Sequence, residues 1–132
     1  MSEETNALIA HRLERARETL DEARLLLNAG HANATVNRLY YACFYAVSAL
    51  LLADGISTSR HAHLRSVLHR DYVRSGLIPQ ESGKHFDLLF DSRQESDYAD
   101  WVVFETDDIR SWMERTELFV RHVAELTEKR KQ

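Results

Sequence analysis

The sequence predicts an all-α protein, an up-and-down bundle of about five helices. Three observations predict it. Apolar residues recur at helical spacing, no segment alternates as a half-buried strand does, and glycine and proline mostly fall between the periodic segments. At 132 residues and 15.3 kDa the chain has the length of one domain. Residues 1–132 are therefore expected to form a single domain, with 126–132 as a frayed tail.

In the first segment Ile9, Leu13, Ala16, Leu20, Ala23 and Leu27 follow steps of 4, 3, 4, 3 and 4. Arg12, Glu14, Arg15, Glu18, Asp21 and Glu22 occupy the other faces, which defines an amphipathic helix. The second segment, roughly 33–54, is apolar nearly all round, with Tyr40, Tyr41, Cys43, Phe44, Tyr45, Val47, Leu50 and Leu51 leaving no wide polar face. A helix of that kind is surrounded by protein on most sides. Leu64, Val67, Leu68 and Tyr72 mark a third helix over about 61–73, and Phe86, Leu89 and Phe90 a fourth over about 81–95. Between these two, Leu77-Ile78-Pro79 reads as an extended link, because the residue before proline is pushed out of the helical region. The fifth helix takes Thr106 as its N-cap and Asp107 and Asp108 at the positive end of its dipole. Ile109, Trp112, Thr116, Phe119, Val123 and Leu126 are its expected buried stripe. Gly30, Gly55 and Gly76 are placed to close helices.

Charge and cysteine content exclude several function classes. Lys and Arg number 17 against 21 Asp and Glu, a net charge of -4, so no global basic field marks a nucleic-acid coat, although a local site stays open. Cys43 is the sole cysteine and sits in an apolar run, so it reads as a small buried thiol; an intrachain disulfide or a thiolate zinc cluster is ruled out. The histidines lack metal-site spacing: His61 and His63 would point about 200° apart on a helix, and no HExxH pair exists. No G-x-S-x-G elbow, P-loop or dinucleotide-binding glycine pattern is present, so neither metal nor cofactor is expected. The start Met1-Ser2-Glu3-Glu4 is acidic and unlike an export signal, and the apolar run Tyr40 to Ala53 is 14 residues, short for a bilayer span. The expected compartment is the cytoplasm, with no membrane partner.

Polar residues interrupt the pattern in two places. Asn37 and Arg38 stand just before the aromatic run; Asn37 shares a helix face with Tyr41, and Arg38 more loosely with Tyr45. An arginine entering a buried helix needs a carboxylate, a phosphate or water, and a structural ion pair answers that need as well as a ligand does. The second place is Arg93, the one cation in a stretch from Asp91 to Asp108 that holds seven acids, with Asp97 at i+4 as its nearest partner. By contrast, residues 60–74 carry four arginines against Asp71, with His61, His63 and His69 alongside, so the third helix is the surface that charge alone favours for a phosphate chain.

Taken together, the run from Ala34 to Ala46 with Asn37-Arg38-Leu39-Tyr40-Tyr41-Ala42-Cys43-Phe44, then Ala49-Leu50-Leu51, Gly55, Ser59-Arg60-His61 and the distal Arg93-x-x-x-Asp97-Tyr98, resembles one branch of the HEPN domain family over nearly the whole chain. The resemblance implies a helical bundle that dimerises and is encoded beside a minimal nucleotidyltransferase (MNT). It further implies, for many members, a toxin that cuts RNA without a metal through an R-x(4–6)-H motif. Arginine holds the charge of the phosphate and histidine moves the proton. Carried onto this chain, Arg93, Tyr98 and His61 become the candidate catalytic residues, and Asn37, Arg38, Tyr41 and Asp97 the candidate RNA- or nucleotide-binding ones. The chain departs from the motif where the histidine belongs: Tyr98, Ala99 and Asp100 stand there, and His61, at the start of the third helix, is the candidate substitute. The resemblance also makes Tyr98 a candidate for adenylate modification by the partner. The competing expectations are a helical dimer that binds a nucleotide or partner without catalysis, with His61 capping its helix or standing in solvent and Tyr98 half-buried, and a dimer without any ligand.

The other helices of the chain are expected to cover about two thirds of the second helix, in proportion to what a domain this size buries, and a second copy the remainder. Light scattering at micromolar concentration should therefore give twice the chain mass of 15.3 kDa; a monomer would remove this argument.

Overall fold

The computed structural model describes residues 2–98 and 102–131, and the side chains of all these except 96–98. Among these residues five α-helices follow one another: α1 (Glu3–Asn28), α2 (Ala32–Ala53), α3 (His61–Val67), α4 (Gln80–Tyr98) and α5 (Thr106–Arg130). A π-helical turn, Leu68–Val73, continues α3. No strand occurs among the described residues, so the all-α bundle expected from the sequence is the observed architecture.

Local chemistry fixes the helix ends. The Ser2 hydroxyl accepts the Thr5 amide at 3.0 Å, with Glu3 and Glu4 in the first turn of α1. Gly30 and Gly55 close α1 and α2 in the left-handed region, at φ 84° and 81°. Each sits in a six-residue closure: His31 N–H donates to the Leu26 carbonyl, and Ile56 N–H to the Leu51 carbonyl.

The α1 stripe is buried as its spacing predicted, with Thr19 added. α2 lies at the centre, touched by α1, α3, α4 and α5. Val36, Leu39, Tyr40, Cys43, Val47 and Leu50 are fully enclosed, and burial pushes the Cys43 thiol well above its ordinary pKa. Tyr41, Phe44 and Tyr45 are only half-buried, so one aromatic side of α2 reaches the surface.

Several expectations need correction. Glu105, and not Thr106, is the N-cap position of α5, and no side chain caps it there. Trp112 sits half-buried at the edge, against Phe104, because Met113 and Val120 share the α5 core stripe. The expected tail is helical to Arg130, whose guanidinium pairs with Asp54 at 3.2 Å. The apolar run of α2 belongs to a helix of 22 residues, long and apolar enough by length and composition to cross a membrane. Its central packing, with 61% of the most apolar window buried, gives that apolarity a use inside the bundle.

One buried polar pair makes a pH dependence. Thr116 donates its hydroxyl hydrogen to the Trp112 carbonyl at 2.7 Å, so it can only accept from His85 Nε2, 2.9 Å away. The neutral His85 ring therefore carries its proton on Nε2, and burial, aided by Arg115, pushes its pKa down to about 4. Between that value and the unfolded one near 6.5, only the unfolded chain takes up the proton. This stabilising contribution is full above pH 6.5 and is lost as pH falls toward 4, a change of about 3 kcal/mol. Urea unfolding of wild type and His85→Gln across this range should show the steeper acid loss in wild type; parallel curves would refute it.

Candidate functional site

The aromatic side of α2 gathers polar groups from three elements around one ring. Arg38, on α2 itself, places its guanidinium carbon 5.3 Å from the centroid of Tyr41. Arg93, from α4, lies 5.7 Å from the same centroid and 4.7 Å from that of Tyr40, and it donates to the Tyr41 hydroxyl at 3.4 Å. His61, the first residue of α3, meets the Tyr41 ring edge-on at 5.8 Å. Arg38, Arg93 and His61 therefore converge on Tyr41, although they lie far apart in the chain.

Each is held in place. Asn37 Oδ1 accepts from Arg38 Nε at 3.1 Å and Nη2 at 2.8 Å, and Arg38 Nη1 meets Glu22 at 3.2 Å. Asn37 thus positions the guanidinium, and Arg38 packs over Tyr41 where the sequence reading paired it with Tyr45. Arg15 of α1 takes the place over Tyr45, at 5.2 Å. His61 makes no cap; its Nδ1 shares a hydrogen bond of 2.7 Å with the Tyr40 hydroxyl, and its ring stacks on Phe44 at 4.4 Å. The capping and solvent readings of His61 are therefore corrected. Burial and the charge of Arg93 hold the His61 pKa below its ordinary value, so the ring is neutral at pH 7. Burial raises the Tyr40 pKa, which keeps its hydroxyl protonated.

The side chains of Asp97 and Tyr98 lie outside the described residues, and so do the Arg93–Asp97 pair and the two readings of Tyr98. Part of the positive charge counted over residues 60–74 is met by carboxylates. Arg65 is 3.7 Å from Asp91 and stacks on Phe90 at 4.0 Å, Arg70 pairs with Asp71, and His69 with Asp87. Among the described residues no three His, Cys, Asp or Glu side chains gather as a metal site would require.

Three residues escaped the sequence reading. Asn33 brackets the segment ahead of α5, donating to the Val102 carbonyl at 2.7 Å and accepting the Phe104 amide at 3.3 Å. Arg12 and Arg15 reach the aromatic side of α2 from α1, where they look like ordinary solvent-face charges. An amphipathic pattern cannot tell a solvent face from one that borders another helix's aromatic ridge.

A helical bundle with two arginines and a histidine gathered on its central aromatic helix matches the HEPN domain model over residues 9–126. The chain belongs to the HEPN family. It is 39% identical over 125 residues to a UPF0332 protein of Thermotoga maritima, covering 95% of each chain. Two proteins of Methanocaldococcus jannaschii bearing the name "Putative toxin" are also similar. One is 22% identical over 82% of this chain and 74% of its own, and the other 31% identical over 74% and 69%.

Because Arg93 helps to hold His61 neutral, removing its charge should raise the imidazole pKa. Proton NMR titration of His61 in wild type and Arg93→Ala tests this; equal midpoints would mean that the two groups do not interact.

Proposed function

We propose that this chain is the HEPN member of a two-gene, toxin-antitoxin-like pair whose partner is an MNT-type nucleotidyltransferase, and that as a homodimer it cleaves RNA at the Tyr41-centred cluster. The carrying observation is the convergence of Arg38, Arg93 and His61 on one ring, which sets two fixed cations beside a neutral imidazole. The relatives named as toxins support the biological setting. The near all-round apolarity of α2 in the sequence favours a second copy beside the bundle.

In this reading the two guanidiniums hold the scissile phosphate and the charge that builds on it. The Tyr40 hydrogen bond fixes the His61 ring through Nδ1 and leaves Nε2 to exchange protons. With Nδ1 bearing the hydrogen and donating it to Tyr40, Nε2 takes the proton of the ribose 2′-hydroxyl. The 2′ oxygen bonds to phosphorus as the bond to the 5′ oxygen breaks, and the leaving oxygen takes up a proton from water. The products are a 2′,3′-cyclic phosphate and a free 5′-hydroxyl. His61 here does the work that the family motif assigns to a histidine after Arg93, and its neutrality at pH 7 suits a base.

A second reading, binding of a nucleotide or partner without cleavage, is favoured by one observation: no histidine follows Arg93 at positions 98–100. Degradation of cellular RNA by the purified chain separates the two. Arg93→Ala should slow cleavage about 100-fold, the usual scale for losing one stabilising donor. Equal rates would assign the activity to a contaminant. No cleavage by wild type, with a melting point raised by added nucleotide, would favour the binding reading.

A further inference from the structure

Beside the Tyr41 cluster lies a hollow of about 820 Å³ between α1, α2 and the connection leading into α3. Arg12 and Arg15 enter it from α1 and Arg60 from the connection. No carboxylate among the described residues lines it, although acids outnumber bases in the chain as a whole. Glu18, outside the hollow, is 3.2 Å from Arg15, and neither Arg12 nor Arg60 has an acidic partner among the described residues. Arg12 donates to the Ser48 hydroxyl, and Ser57 and Ser59 are also among the lining residues. The groove between α1 and α5, about 630 Å³, is unlike it: Glu117, Glu125 and Glu128 there offset four cations.

Three guanidiniums in one hollow repel one another, and an anion rich in acceptor oxygens relieves that repulsion with charge-assisted hydrogen bonds. His61 belongs both to the wall of the hollow and to the Tyr41 cluster, and the aromatic side chains Phe44 and Tyr45 also line it. Arginines for phosphates and aromatic rings for bases are what a single nucleic-acid strand needs.

We propose that this hollow is a second phosphate-binding site, which takes the sugar-phosphate backbone of the RNA strand next to the nucleotide held at Tyr41. The inference rests on the RNA reading of the cluster and deepens it. Arg12, Arg15 and Arg60 contact phosphates that are not cleaved, so they set how long a strand binds well and leave the chemistry to Arg93 and His61. Substrate preference follows: a strand of several nucleotides fills both sites, whereas a dinucleotide fills one.

The test is fluorescence anisotropy with a labelled dinucleotide and a labelled ten-nucleotide RNA, both 2′-O-methylated to block cleavage, over a series of salt concentrations. Arg15→Gln/Arg60→Gln is compared with wild type, after melting curves show that the variant folds alike. The longer RNA should bind the variant about 10-fold more weakly. The slope of log affinity against log salt should fall by about 1.4, two contacts at about 0.7 each. Dinucleotide binding should not change, and Arg15→Lys/Arg60→Lys should keep the wild-type slope. Unchanged affinity and slope for the longer RNA, with binding still lost in Arg93→Ala, would overturn the second site and leave the cluster reading standing. Failure of wild type to bind either RNA would overturn both. Weakened self-association or weakened binding of the nucleotidyltransferase, with RNA affinity intact, would make the hollow a protein contact and also overturn the proposal.

Discussion

Tyr40 carries a hydroxyl into the centre of the bundle on a helix that is apolar nearly all round, and the arrangement of the site follows from satisfying it. Left unpaired, such a buried hydroxyl would cost about 1–3 kcal/mol. His61 meets it at 2.7 Å and so ties the start of α3 to the middle of α2. The same ring carries Arg93 over one face, and Phe86 and Phe90 of α4 pack around it. One fully enclosed tyrosine therefore registers α3 and α4 against α2, and the half-buried neighbour, Tyr41, inherits the groups so positioned.

The electrostatic consequence is specific. Two guanidiniums lie near one ring, where the aromatic faces of Tyr40 and Tyr41 offset part of their charge. A protonated His61 would add a third positive charge to this group. Burial and Arg93 both oppose that, so the imidazole stays neutral at physiological pH. Of the cations that composition made most conspicuous over 60–74, Arg65, His69 and Arg70 lie against Asp71, Asp87 and Asp91. Arg12, Arg15, Arg38 and Arg93 gather along one side of α2, a local concentration of cations that the net charge of -4 conceals.

The fold was legible because helix period and helix punctuation are local. The α1 stripe, the glycine closures after Asn28 and Ala53, and the all-round apolarity of α2 each read directly from spacing. Trp112 misled because neighbouring positions on a helix share a face within its width, and only the packing partner decides between Trp112 and Met113. For the site, Asn37, Arg38, Tyr41, Arg93 and His61 could be named as candidates. Their meeting around one ring could not, since it depends on contacts 20 to 52 residues apart, such as Arg93 with Tyr41.

By itself the sequence determined the class of fold, the central helix and the kinds of side chain available for chemistry, because periodicity, capping and burial of apolar surface act between near neighbours. Only the tertiary structure decided which arginines are spent on carboxylates and which face the aromatic side of α2. It also decided that His61 stands in the core's hydrogen-bond network and not at a helix cap. Those outcomes turn on distances between helices, and Coulomb and hydrogen-bond energies depend on such distances far more steeply than hydrophobic patterning does.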